Sequence, residues 1–239
     1  MIIVASDFDG TLAHKGYTLE ENKKAVATFR AKGGKMGVVT GRSLTIAHGI
    51  PQDVGGLDFM ICSTGAVIMD GEGKVLFHKT QPTGEMVEAA ILKARSLGCT
   101  YFGVNCLRDQ YAPKMEEGMV IDFGAMTEFD HCNACFPSEA AAEEFLAYLE
   151  ETNPGKWRGY RNGWTVDMPP YGCSKADAIR LYASRFEDPE VYTVGDNAND
   201  VPMLTAFPSY AVESGVEAAK QAATRICKSV ATMLEELLP

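Results

Sequence analysis

Four short runs, IIVAS at 2–6, KMGVVT at 35–40, FMICST at 59–64 and VYTVG at 191–195, carry apolar residues without alternation. A strand with one wet face alternates apolar and polar residues; a strand covered by helices on both faces does not, and such strands build parallel α/β sheets. The chain between the first two runs agrees. Thr18-Leu19-Glu20-Glu21 has the pattern of a capping box, Val26 and Phe29 supply an apolar stripe, and Gly33-Gly34 stops the segment, so the spacing predicts a helix over 19–32. Strands and helices in alternation are α/β winding.

After Gly65 a hairpin is expected, 66–69 and 75–77, turning on Asp70-Gly71-Glu72-Gly73. Gln81-Pro82 marks a boundary. Beyond it the pattern predicts a helix over 84–97, strands near 100–105 and 119–123, an extended segment at 130–136, a helix over 138–151, and a strand pair 156–161 and 164–168 hinged on Asn162-Gly163. Pro169-Pro170 closes this stretch. Winding then resumes with helix 175–186, strand 191–195, helix 201–206, strand 209–212 and helices 216–223 and 230–238. The fold class expected is α/β: a Rossmann-like, doubly wound parallel sheet core over 1–81 and 169–239, with a smaller α/β unit inserted at 82–168. At 239 residues the chain exceeds the common single domain of ~100–200.

Composition removes several classes of function. The net charge of −10 argues against nucleic acid, whose phosphates select basic surfaces. No apolar run approaches the ~20 residues of a membrane span, so no membrane role is expected. Met1 leads straight into Ile2-Ile3-Val4 without a charged leader or a cleavage site, and a cytoplasmic location is the expectation. The seven cysteines are scattered and odd in number, which predicts reduced thiols. Cys132 and Cys135 alone form a C-x-x-C pair; a zinc site would need further ligands, with His131 the nearest.

Polar clusters stand at the carboxyl ends of the proposed strands, where open α/β sheets place their ligands. Asp7 and Asp9 follow the first; taken alone they also read as an Asp-rich turn satisfying its own backbone. Thr40-Gly41-Arg42 follows the second and has the parts of an anion seat, or of an ordinary strand-to-helix turn. Lys175, behind the N-cap candidate Ser174, opposes its own helix dipole, a placement that costs ~0.3–1 kcal/mol and calls for a nearby anion or for solvation. Asp196-Asn197-Ala198-Asn199-Asp200 follows the last run and can also be helix-entrance capping. All four clusters would meet at one sheet edge. Several carboxylates with one lysine and no arginine cluster call for a hard divalent cation, and Mg²⁺ takes such oxygens while keeping waters for a substrate phosphate. A carboxylate can attack phosphorus to give an aspartyl-phosphate, and a second can move the proton.

In that order, DFDGT at 7–11, VVTGR at 38–42, Lys175 and GDNANDVPML at 195–204 resemble the four motifs of the haloacid dehalogenase superfamily of aspartate-nucleophile phosphatases. The insert between the second and third motifs is similar to the α/β C2B cap of the Cof-like class II members. The resemblance implies that Asp7 is the nucleophile and Asp9 the general acid and base, the latter also giving its backbone oxygen to Mg²⁺. It implies that Thr40, Gly41 and Lys175 bind the transferring phosphoryl group, that Asp196 ligates the metal, and that Asn199 and Asp200 support phosphate and metal. The sequence differs from many relatives at Ser63-Thr64-Gly65-Ala66 and at Ala211-Val212-Glu213-Ser214-Gly215. The activity implied is Mg²⁺-dependent hydrolysis of small phosphate monoesters, sugar phosphates foremost, by a monomer or homodimer. The alternatives are a sugar phosphomutase-like phosphotransferase and a non-catalytic phosphometabolite-binding regulator. In the insert, Asn105, Arg108, Tyr111, Trp157, Arg161 and Trp164 are the candidates to face a ligand, each with a solvated or core role as its alternative.

Overall fold

The protein is described here as a computed structural model covering residues 1–80, 82–107, 109–116, 118 and 120–238, without the side chains of Tyr17 and Asn162. Its elements run β1 (Ile2–Ser6), β2 (Ala13–His14), β3 (Tyr17–Thr18), α1 (Glu20–Ala31), β4 (Lys35–Val39), α2 (Leu44–Ala47), α3 (Ile50–Val54), β5 (Phe59–Cys62), β6 (Val67–Asp70), β7 (Val75–His78) and α4 (Gly84–Ser96). They continue with β8 (Tyr101–Cys106), β9 (Asp109–Tyr111), β10 (His131–Cys135), α5 (Glu139–Thr152), β11 (Tyr160–Asn162), β12 (Thr165–Met168), α6 (Lys175–Ala183), β13 (Glu190–Gly195), α7 (Val201–Ala206), β14 (Ser209–Val212), α8 (Glu217–Ala222), β15 (Arg225–Cys227) and α9 (Val230–Leu237).

Eight strands form one sheet in the order β15-β14-β13-β1-β4-β5-β6-β7, parallel from β15 to β5 and antiparallel beyond. The absence of alternation has its cause in the packing. Val4, Val38 and Met60 point to a cluster with Val26 and Phe29 of α1 and Met233 and Leu234 of α9, while Ile3, Ala5, Val39 and Ile61 point the other way, to Ile179 and Tyr182 of α6 and Leu204 of α7. Each buried Val, Ile, Leu, Met or Phe among them contributes ~1.5–3 kcal/mol, so neither face tolerates a polar row.

The five-stranded sheet, β11-β12-β10-β8-β9, is antiparallel and comes wholly from 101–168. It alternates. Phe102, Val104, Cys132, Ala134, Val166 and Met168 face α4 and α5 in an apolar core, which leaves Asn105, His131, Asn133 and Asp167 on the opposite face.

Several local expectations are corrected. Thr18 does not cap α1: its backbone N–H and hydroxyl both donate to Asp53, and Leu19 holds the N-cap position without a side-chain bond. Residues 120–123 form no strand, and Met119 lies outside the described residues, as does Gln81 of the expected boundary. Helix α6 stops at Ala183 because the amides of Arg185 and Phe186 bond three residues back, to Tyr182 and Ala183, and tighten the end. In the β11–β12 hairpin Asn162 pairs with Thr165, so Gly163 and Trp164 make the turn, one residue later than the Asn-Gly signal suggests. Strand β5 ends at Cys62; Ser63 and Thr64 turn with φ of 53° and 52°.

Candidate active site

Strand β1 carries the chain to the sheet edge, and the Asp7 amide still donates to Val194 of β13 at 2.9 Å. The pleat then divides the side chains: Phe8 enters the core, while Asp7 and Asp9 both open into the cavity above the edge. Gly10 has φ +90°, and a Cβ there would collide with the Asp196 carboxylate. Glycine is therefore required for the turn and for the approach of Asp196, whose Oδ1 accepts from Thr11 Oγ1 at 2.7 Å.

Lys175 is the first residue of α6, behind Ser174, whose hydroxyl accepts from the Asp177 amide at 3.0 Å. The cation that opposes its helix dipole has the local anions it needs. Lys175 Nζ donates to Asp7 Oδ1 and to Asp200 Oδ1, both at 2.6 Å, with the lysine side chain 1% exposed. Asp200 is held by a reciprocal turn: its Oδ2 accepts from the amides of Asp196 and Asn197, each at 3.0 Å. Oxygens of Asp7, Asp196 and Asp200 lie within 4.8 Å of one another, around one ammonium. Burial dominates the electrostatics. It pushes the Asp7 carboxyl up to about 8, opposed by Lys175 and reinforced by Asp200. It also raises Asp196, against the hydrogen bond from Thr11. For Lys175 burial works against the charge, but Asp200 and Asp7 outweigh it and hold the ammonium above its ordinary range. A cluster whose own lysine leaves carboxyls raised is short of positive charge, and its all-oxygen donor set suits a hard divalent cation.

Asp9 is arranged differently. Its carboxylate takes a two-pronged bond from Arg42, Nε to Oδ2 at 2.8 Å and Nη2 to Oδ1 at 2.6 Å, and the guanidinium also lies 5.2 Å from the centre of the Phe8 ring. Thr40 is buried and its Oγ1 accepts from the Arg42 amide at 3.1 Å, which fixes the turn containing Gly41. Asp7, Asp9, Thr40, Gly41 and Asn199 line a cavity of about 240 Å³. Lys175, Asp196 and Asp200 adjoin it through Asp7.

The same cavity is lined by His131, Asn133 and Asp167, residues that the sequence reading did not single out as ligand-facing. Their signal was present in the alternation of His131-Cys132-Asn133-Ala134, but a polar face could equally have met solvent. The earlier candidates that the structure describes are not among the residues lining it. Asn105 is buried and donates to the His131 carbonyl at 3.2 Å; Tyr111 packs edge-on against Phe123; Trp157 is in the apolar core; Arg161 pairs with Glu139 and Glu143; Trp164 is 62% exposed. Arg108 lies outside the described residues. Cys132 faces the apolar core while Cys135, three residues on in the same strand, faces the other way, so the two thiols do not converge.

Asp130, next to His131, ties the two sheets together. It is 1% exposed and accepts from Ser63 Oγ at 3.2 Å, His78 Nε2 at 3.0 Å and the Leu107 amide.

A family model described as haloacid dehalogenase-like hydrolase matches residues 4–117 and 108–232. No curated protein matches the chain in sequence. Among solved structures, a haloacid dehalogenase-like hydrolase from B. subtilis is similar with a TM-score of 0.86 at 21% identity, covering 100% of both chains. A HAD subclass IIB sugar phosphatase gives 0.81 at 19%, with 99% of each chain covered. A phosphatase of the same superfamily from Bacteroides thetaiotaomicron gives 0.79 at 21%, covering 99% of this chain and 94% of that one. At these identities the likeness is one of fold.

Proposed function

This chain belongs to the haloacid dehalogenase-like hydrolases, and on that premise we propose that it is a Mg²⁺-dependent phosphatase of small phosphate monoesters, sugar phosphates foremost, working through an aspartyl-phosphate on Asp7. Residues 1–81 and 169–239 act as the catalytic core and 82–168 as the cap. The observation that carries the reading is the seat of Lys175 Nζ, buried at 2.6 Å from both Asp7 and Asp200 beside a third carboxylate, Asp196.

An Asp7 oxygen forms a bond to phosphorus as the bond from phosphorus to the leaving oxygen breaks, and Asp9 supplies the proton that oxygen takes up. Water then attacks phosphorus, gives its proton to Asp9, and releases phosphate and the Asp7 carboxylate. Arg42 occupies both Asp9 oxygens, so proton transfer requires one of those bonds to be exchanged for the substrate. Lys175 holds the attacking carboxylate in place, and Thr40, Gly41 and Asn199 border the space for the phosphoryl oxygens. Asp7, Asp196 and Asp200, with the Asp9 backbone oxygen, would hold Mg²⁺, which when bound offsets the repulsion between carboxylate and phosphate, ~4 kcal/mol per charge pair at 4 Å and an effective dielectric of 20.

The test is turnover of a chromogenic aryl phosphate. Wild-type protein is expected to release phosphate, to stop in EDTA and to recover with Mg²⁺, while Asp7→Asn loses roughly three orders of magnitude or more. Full activity in Asp7→Asn would remove the nucleophile assignment.

A further inference from the structure

The floor of the cavity is the carboxyl edge of the larger sheet, and His131, Asn133 and Asp167 are its ceiling. On the floor, Asp9 and Arg42 form a pair whose geometry exceeds what folding asks of it. The backbone around Asp9 is held by the turn that follows β1: the Gly10 amide donates to the Ala13 carbonyl at 2.9 Å and the Ala13 amide to the Phe8 carbonyl at 2.8 Å. Neither bond turns the carboxylate. Arg42 does, with Nε on Oδ2 at 2.8 Å and Nη2 on Oδ1 at 2.6 Å, a planar fork that fixes both the direction of the carboxylate and the rotation of its plane.

The arginine is fixed in turn. Its amide donates to Thr40 Oγ1 at 3.1 Å, its carbonyl accepts from the Ser63 amide at 2.8 Å, and its guanidinium lies 5.2 Å from the centre of the buried Phe8 ring. Thr40 and Gly41 border the space for the phosphoryl oxygens, so the turn that would seat the phosphoryl group also sets the aim of Asp9. The Arg42 and Asp9 side chains are 31% and 49% exposed, and an ion pair so open to solvent contributes little to stability. Its two-pronged geometry is better explained by what Asp9 has to do.

We propose that Arg42 is a positioning residue, which acts on the reaction through Asp9 by aiming its carboxyl at the leaving oxygen. This rests on the phosphatase reading above and adds to it the residue on which proton transfer depends. In the first half-reaction the bond from Asp7 to phosphorus forms and the bond from phosphorus to the leaving oxygen breaks. The proton on one Asp9 oxygen passes to that leaving oxygen while Arg42 keeps the other. As the proton departs, carboxylate charge develops on Asp9 opposite the guanidinium, and the second bond of the fork closes. That gain grows with the proton transferred, so it lowers the barrier rather than tightening substrate binding. An alkoxide must be protonated as it leaves, whereas a dinitrophenolate leaves as the anion and draws little on Asp9. The contribution of Arg42 therefore rises with the basicity of the leaving oxygen; an arginine that only bound the phosphoryl oxygens would contribute equally to both esters.

The experiment compares kcat/KM on dinitrophenyl phosphate and on an alkyl phosphate, the faster of glycerol phosphate and a hexose monophosphate, for wild type, Arg42→Ala and Arg42→Lys. Arg42→Ala is expected to lose activity on both, several-fold on the aryl ester and roughly a hundredfold on the alkyl ester, the latter chiefly in kcat. The aryl-to-alkyl ratio then rises by at least roughly tenfold. Arg42→Lys keeps the charge without the fork and is expected to raise the ratio in the same direction. An equal loss on both esters overturns the inference, and so does a loss on the alkyl ester that lies in KM alone. Should Arg42→Ala not fold, Arg42→Lys decides: a wild-type ratio in that variant overturns the inference. In each of these cases turnover of the aryl ester by wild type leaves the phosphatase reading standing; no turnover of any phosphate by wild type overturns the reading and the inference together.

Discussion

Replacing Lys175 by methionine keeps most of the side-chain volume and deletes the one ammonium among three carboxylates. In the folded protein that charge lies 2.6 Å from Asp7 Oδ1 and from Asp200 Oδ1. At that separation and an effective dielectric of 20 the attraction to each carboxylate, when that carboxylate is ionised, is about 6 kcal/mol before desolvation is subtracted. Removing one partner of a buried pair costs a measured ~3–5 kcal/mol, because the remaining carboxylate stays buried without compensation. The two pairs share one lysine and do not add, so about 3–5 kcal/mol is also the expectation for both, a large part of the ~5–15 kcal/mol that holds a domain folded. With a urea slope of ~2–3 kcal/mol per M, the midpoint in EDTA should fall by roughly 1–2 M. Mg²⁺ should restore part of the loss, since it brings positive charge to the same oxygens, and turnover should fall by ~10²–10³ whether or not stability recovers. A midpoint shift below roughly 0.3 M in EDTA would refute the claim that the lysine compensates a buried acidic cluster.

Two further outcomes follow from the same geometry. Burial holds Asp7 at about 8 in the folded protein against an ordinary 3.8, so between those values the native state keeps a proton that the unfolded chain releases; without metal, this contribution to stability is present below about pH 4 and lost as pH rises toward about 8. Urea midpoints in EDTA should therefore fall more steeply with pH for wild type than for Asp7→Asn, and parallel profiles would contradict the shift. Asp130→Ala leaves the donors of Ser63, His78 and Leu107 without their acceptor and should cost about 2–3 kcal/mol by urea denaturation, whereas a change under about 0.5 kcal/mol would show that the tether between the sheets does not hold.

The resemblance already implied the roles of Asp7, Lys175, Asp196 and Asp200, and the unalternating strands implied their meeting place. Sequence order was enough there because a parallel sheet forces every strand to end on the same edge and makes α6, the helix leading into β13, start at that edge, so residues 168 positions apart, such as Asp7 and Lys175, meet by topology. The misplaced charge of Lys175 was a local anomaly whose cause lay at that edge. Thr18 shows the opposite case. Its capping signal was sound in composition, but Asp53, 35 residues away, took the hydroxyl, and no local rule weighs a distant acceptor.

The periodicity of this chain by itself determined the α/β winding, most element positions and which polar clusters stand at strand ends, because these depend on side-chain direction over a few residues. Only the tertiary structure decided the pairing of Asp9 with Arg42, the tether at Asp130 and the ceiling of His131, Asn133 and Asp167. Alternation in β10 and β12 tells that one face is polar; whether that face meets water or another sheet is set by how the five-stranded sheet is held over the eight-stranded one, through contacts such as Asp130 with Ser63 and His78 that span 67 and 52 residues. Those contacts form between segments with no shared period, so their partners become visible only when the chain has folded.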